Sequence, residues 1–377
     1  ESKVIGISLK DRGAILSAGH SADAAYWMDK NGQWITSSFY MNQLPQWLIT
    51  HQNNTSASSY LKGEWSLKNH FKHNLDSLFD ANGGGIIKST PQGNTILADL
   101  SLEILKNEKL GQQKSTDFLS ISFSSTDYIG HQYGPHSFEI LDTYVKLDKE
   151  ISRILKYVEE HIGFENTLVF LTADHGVVSE PNKLKENKIP SGYFSSLQMK
   201  NELNLYLKDY FNWPAQITDE NNYILSYSNN QVFLNHDLIA ENLDVEIREI
   251  QEICAKFLLK YSWVKNSYTA YQMHNYEYNN SQHAKIQRGF NQKRSGDVIV
   301  ALQPGWISKS YEKGGTTHGS SHNYDTHVPL IFWGGEVEQG KTYNRVNIKD
   351  IAPTVSSILG ISFPNGCSGN PLTEIIK

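Results

Sequence analysis

Leu168-Val169-Phe170-Leu171-Thr172-Ala173-Asp174-His175-Gly176 is a short apolar run that breaks abruptly into an acid, an imidazole and a glycine. Such a run, β-branched and aromatic, reads as a strand buried in a parallel sheet. In open α/β sheets, ligands bind beyond the carboxyl ends of the strands. Asp174 and His175 therefore stand where an ion could be held. An adjacent Asp-His pair is also what a hydrogen-bonded turn looks like, so the rest of the chain has to decide.

Working outward, Val4–Leu9, Phe118–Phe123 and Val328–Trp333 read as further buried parallel strands, with Asp297–Leu302 as a fifth candidate. Between Phe118–Phe123 and Leu168–Thr172, the residues Ile140, Tyr144, Leu147, Ile151, Ile154, Val158 and Ile162 recur at helical spacing. They predict one long helix over His136–Ile162, and hence a βαβ crossover. Asp350 opens a last helix with Pro353 near its first turn and Gly360 at its end. Ser21 is expected to begin an Ala-rich helix, with His20 in a structural role before its cap. The stretch 176–296, rich in Asn, Tyr, Lys and Glu, reads as an insertion with poorly marked strands and a helix around Val245–Tyr261. The expected organisation is a core over 1–175, an inserted cap over 176–296 and a return to the core over 297–377. The fold class is α/β, a mainly parallel central sheet flanked by helices.

Composition removes several classes. The 377 residues are 39% hydrophobic, enough for a sizeable core. No apolar run reaches the roughly 18 residues a membrane helix needs. The net charge of −6 argues against a nucleic-acid-binding surface. Two cysteines, Cys254 and Cys367, allow one bridge or none and cannot make a disulfide scaffold. The chain has no initiator Met and no leader-like segment before its strand at Val4, so it reads as a fragment or as a chain whose leader was removed.

Two further clusters join Asp174 and His175. Asp127 and His131 lie one helical turn apart after Phe118–Phe123, so both can face one point; capping of the turn by Thr126 or Asp127 is the plainer alternative. The loop Gly314–His327 holds His318, His322 and His327. Zinc takes imidazole nitrogen and carboxylate oxygen, four-coordinate, with a position left open in catalytic sites. Asp174 and His175 alone would leave a second ion short of ligands.

Together, Asp127-x-x-x-His131, Asp174-His175-Gly176 and the late Thr317-His318-Gly319 loop resemble the alkaline phosphatase superfamily. Ser8–Leu16 and Ala18–Trp27 are similar to its branch of single-chain bacterial phosphatases with a threonine nucleophile, cousins of the nucleotide pyrophosphatase/phosphodiesterases. The resemblance implies two Zn2+ ions, one on Asp127, His131 and His318 and the other on Asp174 and His175. It favours His318 over His322 and His327, which become loop hydrogen-bonders. It also implies that Lys10 and Arg12 contact the phosphoryl oxygens, for which an ammonium and a guanidinium fork are suited. Both would project to one side if Lys10-Asp11-Arg12 is extended. In that family a further ligand Asp, the threonine nucleophile and a phosphate-binding Asn precede the segment matching Lys10, so they are expected outside this chain. The implied function is hydrolysis of phosphate monoesters through a phospho-threonine, by an exported, periplasmic monomer acting on small esters, with no nucleic-acid or membrane partner. A phosphodiesterase with the same metals, or a non-catalytic metal-binding remnant, are the rivals. A sulfatase is disfavoured because neither cysteine lies in a Cys-x-Pro-x-Arg setting.

Overall fold

In the computed structural model, which describes residues 2–212, 222–279, 282–335 and 337–376, the first apolar run is strand β1 (Val4–Ser8). It pairs in parallel with β2 (Ala24–Met28) on one side and with Phe118–Ser122 on the other. β3 (Trp34–Ile35) adds an antiparallel edge to β2, so this sheet is mixed and mostly parallel. Ile5, Ile7 and Leu9 are buried in one core with Tyr26, Met28 and Trp34. Each such aliphatic side chain contributes about 1.5–3 kcal/mol of transfer free energy. Helix Gln92–Asn107 covers them with Ile96, Leu97, Leu100 and Ile104. The long crossover helix spans Phe138–His161, where the Ser137 hydroxyl accepts the first-turn bond from Ile140 N at 3.2 Å.

Helix α1 (Asp11–Ala18) folds straight back onto β1, and small residues make that possible. A Cβ on Gly6 would stand 2.1 Å from the carbonyl oxygen of Ala14 and 2.7 Å from the Ala18 methyl group. One on Gly13 would stand 2.6 Å from the Ser8 hydroxyl. Backbone approach this close is open only to glycine, and it fixes where the β1–α1 turn points.

The chain divides into two units: Glu1–Ala173 with Pro329–Lys377, and Asp174–Val328. The second has its own core around a four-stranded antiparallel sheet, in the order Val264–Thr269, Val298–Leu302, Gln231–Leu234, Ile224–Ser228. Helix Ile247–Leu258 packs there through Ile250, Cys254 and Leu258. Asp297, buried beside the central strand, accepts hydrogen bonds from Leu234 N, His236 Nε2 and Gln251 Nε2. Both cysteines are free thiols, and burial pushes that of Cys254 well up. No described helix is long and apolar enough to cross a membrane.

Several expectations need correction. The segment after Ser21 is strand β2, because Ala24, Ala25 and Tyr26 sit buried in the sheet beside β1 rather than in a helix. Leu330–Trp333 runs antiparallel to Val169–Thr172, not parallel, and both are incompletely buried. Val298–Leu302 is fully buried but antiparallel, in the second unit. An apolar run carries no information on strand direction, and in Val169–Thr172 and Leu330–Trp333 it does not report full burial either. The poorly marked strands Ile224–Ser228, Gln231–Leu234 and Val264–Thr269 build the antiparallel sheet with Val298–Leu302, with register shifts at Phe233/Leu234 and Val264/Asn266. The last helix agrees with expectation: Ile351–Leu359, closed by Gly360 in the left-handed conformation at φ +64°.

Gly6→Ala should lower the thermal or urea midpoint by an amount worth about 1–3 kcal/mol, the usual range for overpacking. Gly340→Ala, at a position with nothing within 4 Å of the added methyl, should not. Equal midpoints for the two variants would show that the β1–α1 contact is not tight.

Candidate metal and phosphoryl site

The turn after β1 is organised by one buried hydroxyl. Ser8 Oγ accepts from Lys10 N at 3.1 Å, donates to Ser122 O at 3.1 Å and lies 2.9 Å from Ser124 Oγ. Lys10 is the extended residue before α1, at φ −114° and ψ 138°. Asp11 already belongs to the helix, where an acid in the first turn is favoured by the dipole, and its Oδ1 accepts from Arg12 N at 2.8 Å. Lys10-Asp11-Arg12 is thus not extended throughout, contrary to the alternation expected. Lys10 and Arg12 nonetheless line the same cleft.

That cleft, of about 440 Å³, is also lined by Leu9, Trp27, Met28, Lys88, Asp127, Tyr128 and His131. Helix Ser125–Tyr133 presents Asp127 in its first turn and His131 in its last. Asp127 Oδ1 and His131 Nε2 stand 3.2 Å apart. The Lys10 ammonium pairs with the other carboxylate oxygen of Asp127 and lies 4.6 Å from the centroid of the Tyr128 ring, a cation–π distance.

In the second unit, Asp174 Oδ2 and His175 Nε2 are 3.6 Å apart. His175 Nδ1 donates to Gly176 O at 2.9 Å, which orients the ring so that Nε2 is the nitrogen facing Asp174. The rings of His175 and His318 stack at 3.4 Å between centroids and 14° between planes. Two ligands about 2.0–2.2 Å from a tetrahedral zinc lie about 3.3–3.6 Å from each other, given the usual bond lengths. The 3.6 Å within Asp174–His175 fits that spacing, the 3.2 Å within Asp127–His131 falls just short of it, and carboxylate plus imidazole is a zinc donor set.

Asp325 is a residue that sequence reasoning passed over. Its carbonyl accepts from Gly176 N at 2.7 Å and its Oδ2 from Ser320 N at 2.6 Å, so it joins the His175 loop to the His318 loop. It is buried, and burial pushes its pKa up. It lay unremarked inside the histidine loop because nothing local distinguishes it from a turn acid. His322 hydrogen-bonds Leu302 O and the Gln282 side chain, and His327 is exposed. The buried Thr316 hydroxyl donates to Val178 O at 2.6 Å and so braces the loop. His20 is exposed, 3.3 Å from the Ser21 hydroxyl. Asp325→Ala should lower the urea midpoint by the equivalent of about 1–3 kcal/mol, the cost of leaving the part-buried Ser320 amide unpaired. Asp325→Asn, which keeps an acceptor, should recover most of it. Equal losses in the two variants would contradict the bracing role.

Comparison with known proteins places these features. Residues 3–325 match the family described as type I phosphodiesterase / nucleotide pyrophosphatase. A protein of Myroides odoratus named a calcium-transporting ATPase is 40% identical over 100% of this chain and 72% of its own length. Alkaline phosphatase PhoV of Synechococcus elongatus is 35% identical over 100% of this chain and 70% of its own. Alkaline phosphatase PafA of Elizabethkingia meningoseptica is 32% identical over 100% of this chain and 72% of its own. The crystal structure of wild-type PafA superposes with a TM-score of 0.91, covering 100% of this chain and 75% of that one. In a PafA variant structure, with a TM-score of 0.88, a threonine, an asparagine, and a lysine and an arginine two positions apart are substituted. The chain has the alkaline phosphatase-like α/β fold and belongs to the type I phosphodiesterase/nucleotide pyrophosphatase family of the alkaline phosphatase superfamily, an enzyme of phosphoric ester hydrolysis.

Proposed function

We propose that the protein hydrolyses phosphate monoesters at a two-zinc centre, with a threonine hydroxyl as phosphoryl acceptor. The observation that carries this reading is the placement of Lys10 and Arg12 in one cleft with the Asp127–His131 pair. Asp127, His131 and His318 would hold one ion, and Asp174 and His175 would contribute to the other. Bound zinc supplies Lewis-acid stabilisation of the attacking and leaving oxygens.

The chain's own residues supply binding and orientation. Lys10 and Arg12 bind the non-bridging phosphoryl oxygens, where three bear charge in a monoester and only two in a diester. The Tyr128 ring and the Asp127 carboxylate hold the Lys10 ammonium in place before substrate arrives. The His175 Nδ1 hydrogen bond to Gly176 O orients that imidazole. The threonine oxygen attacks phosphorus as the ester P–O bond breaks and the alcohol departs; water then cleaves the phospho-threonine and releases phosphate. The lysine–arginine spacing shared with the substituted pair in PafA supports the phosphoryl role of Lys10 and Arg12. That relatives are named alkaline phosphatases, PafA and PhoV, supports the monoester reading over the diester one. We further propose that the protein is exported to the periplasm and acts there as a monomer on small phosphate esters.

Replacing Lys10 and Arg12 together by Ala in the full-length, zinc-loaded enzyme should cut kcat/KM for an aryl phosphate by on the order of 10²–10³. The loss on the corresponding methyl aryl diester should be smaller, and zinc content should not change. Equal losses on both substrates would contradict the monoester assignment and favour the phosphodiesterase.

A further inference from the structure

The cleft holds a third cation that the proposed chemistry does not use. Lys88 lies in the short helical turn Gly84–Ser89 and lines the cleft with Lys10, Arg12, Asp127 and His131. Its ammonium donates to the carbonyl oxygen of Met28, at the end of β2, at 2.7 Å. That anchor fixes the head group on a rigid strand end. It is the hydrogen bond found for this side chain among the described residues, and no carboxylate there lies within ion-pair distance of it. An ammonium has three donors, so two remain for something in the cleft.

Lys88 is half-buried. Burial pushes its pKa down, and Lys10 acts in the same direction, while Asp29 and Asp11 oppose them from beyond contact. Holding a partly desolvated ammonium without a touching counter-charge is unfavourable unless a ligand provides one. Lys10 differs in this respect, because Asp127 already pairs with it. A reacting phosphoryl group has its cationic partners in Lys10 and Arg12, which leaves Lys88 with a separate anion to meet.

We propose that Lys88 forms a subsite for a second anionic group on the substrate, so that the preferred esters carry another negative charge besides the scissile phosphate. This rests on the phosphatase reading above. A lysine head meets such a group as a point charge and does not demand a bidentate partner, so a carboxylate and a second phosphate are the two sources to be separated.

The test compares phenyl phosphate, 4-carboxyphenyl phosphate and 1,4-phenylene bisphosphate as substrates of the full-length, zinc-loaded enzyme and of its Lys88→Met and Lys88→Arg variants. Lys88→Met should lower the kcat/KM ratio of a doubly anionic ester to phenyl phosphate by about tenfold to a hundredfold, the worth of a charged hydrogen bond, chiefly through KM. Lys88→Arg should restore most of it. The ester whose ratio falls further identifies the second group as carboxylate or phosphate. An unchanged ratio, or one that Lys88→Arg fails to restore, would overturn the subsite. Calorimetric binding of methylenebisphosphonate against methylphosphonate reads the same preference without turnover. Loss of hydrolysis in wild type with the binding preference intact would sink the phosphatase reading alone, whereas equal binding by wild type and Lys88→Met would sink the subsite.

Discussion

The Ser8 hydroxyl is the constraint on which the cleft depends. It meets the amide of Lys10, the carbonyl of Ser122 and the hydroxyl of Ser124, and so ties two parallel strand ends together at one buried point. One turn aims Lys10 and Arg12; the other begins the helix that carries Asp127 and His131. The tie can be this short because Gly6 and Gly13 admit α1 against the sheet. A larger residue at either position would lift the helix and with it the cationic side of the cleft.

The charges on that scaffold make better sense as preorganisation than as stability. The Lys10–Asp127 pair is partly exposed, and ion pairs in such settings contribute at most about 1 kcal/mol. What the pair does provide is a fixed ammonium beside a carboxylate whose second oxygen faces an imidazole. Preorganised charge needs no reorganisation when negative charge develops on a bound ester, which is where electrostatic catalysis gains most. In the second unit the same economy appears in Asp325, which braces two histidine loops through a single backbone carbonyl and a single carboxylate oxygen.

How much of this was legible in the sequence depends on whether the signal was local. Asp127 and His131 could be read because four residues is one helical turn, and the structure places their donor atoms 3.2 Å apart. The crossover helix could be read from the period of its apolar face, and the last helix from its closing glycine. Strand direction could not, since Val169–Thr172, Leu330–Trp333 and Val298–Leu302 look alike as apolar runs and differ only in their partners. The segment after Ser21 looked helical from its alanines, yet β1 claims it through backbone pairing. Lys88 and Asp325 carried no local signal at all. Each matters for what it meets across the fold, one a carbonyl 60 residues away and the other the amide of a distant loop.

Metal stoichiometry tests the two-zinc centre most directly. Native mass spectrometry combined with elemental analysis of the full-length protein, purified with zinc present, should show two zinc ions per chain. Asp127→Ala should retain one, and Asp174→Ala should also retain one, each with an unchanged circular dichroism spectrum. Wild type that binds no zinc, or variants that both keep two, would contradict the assignment of these carboxylates to two metal sites.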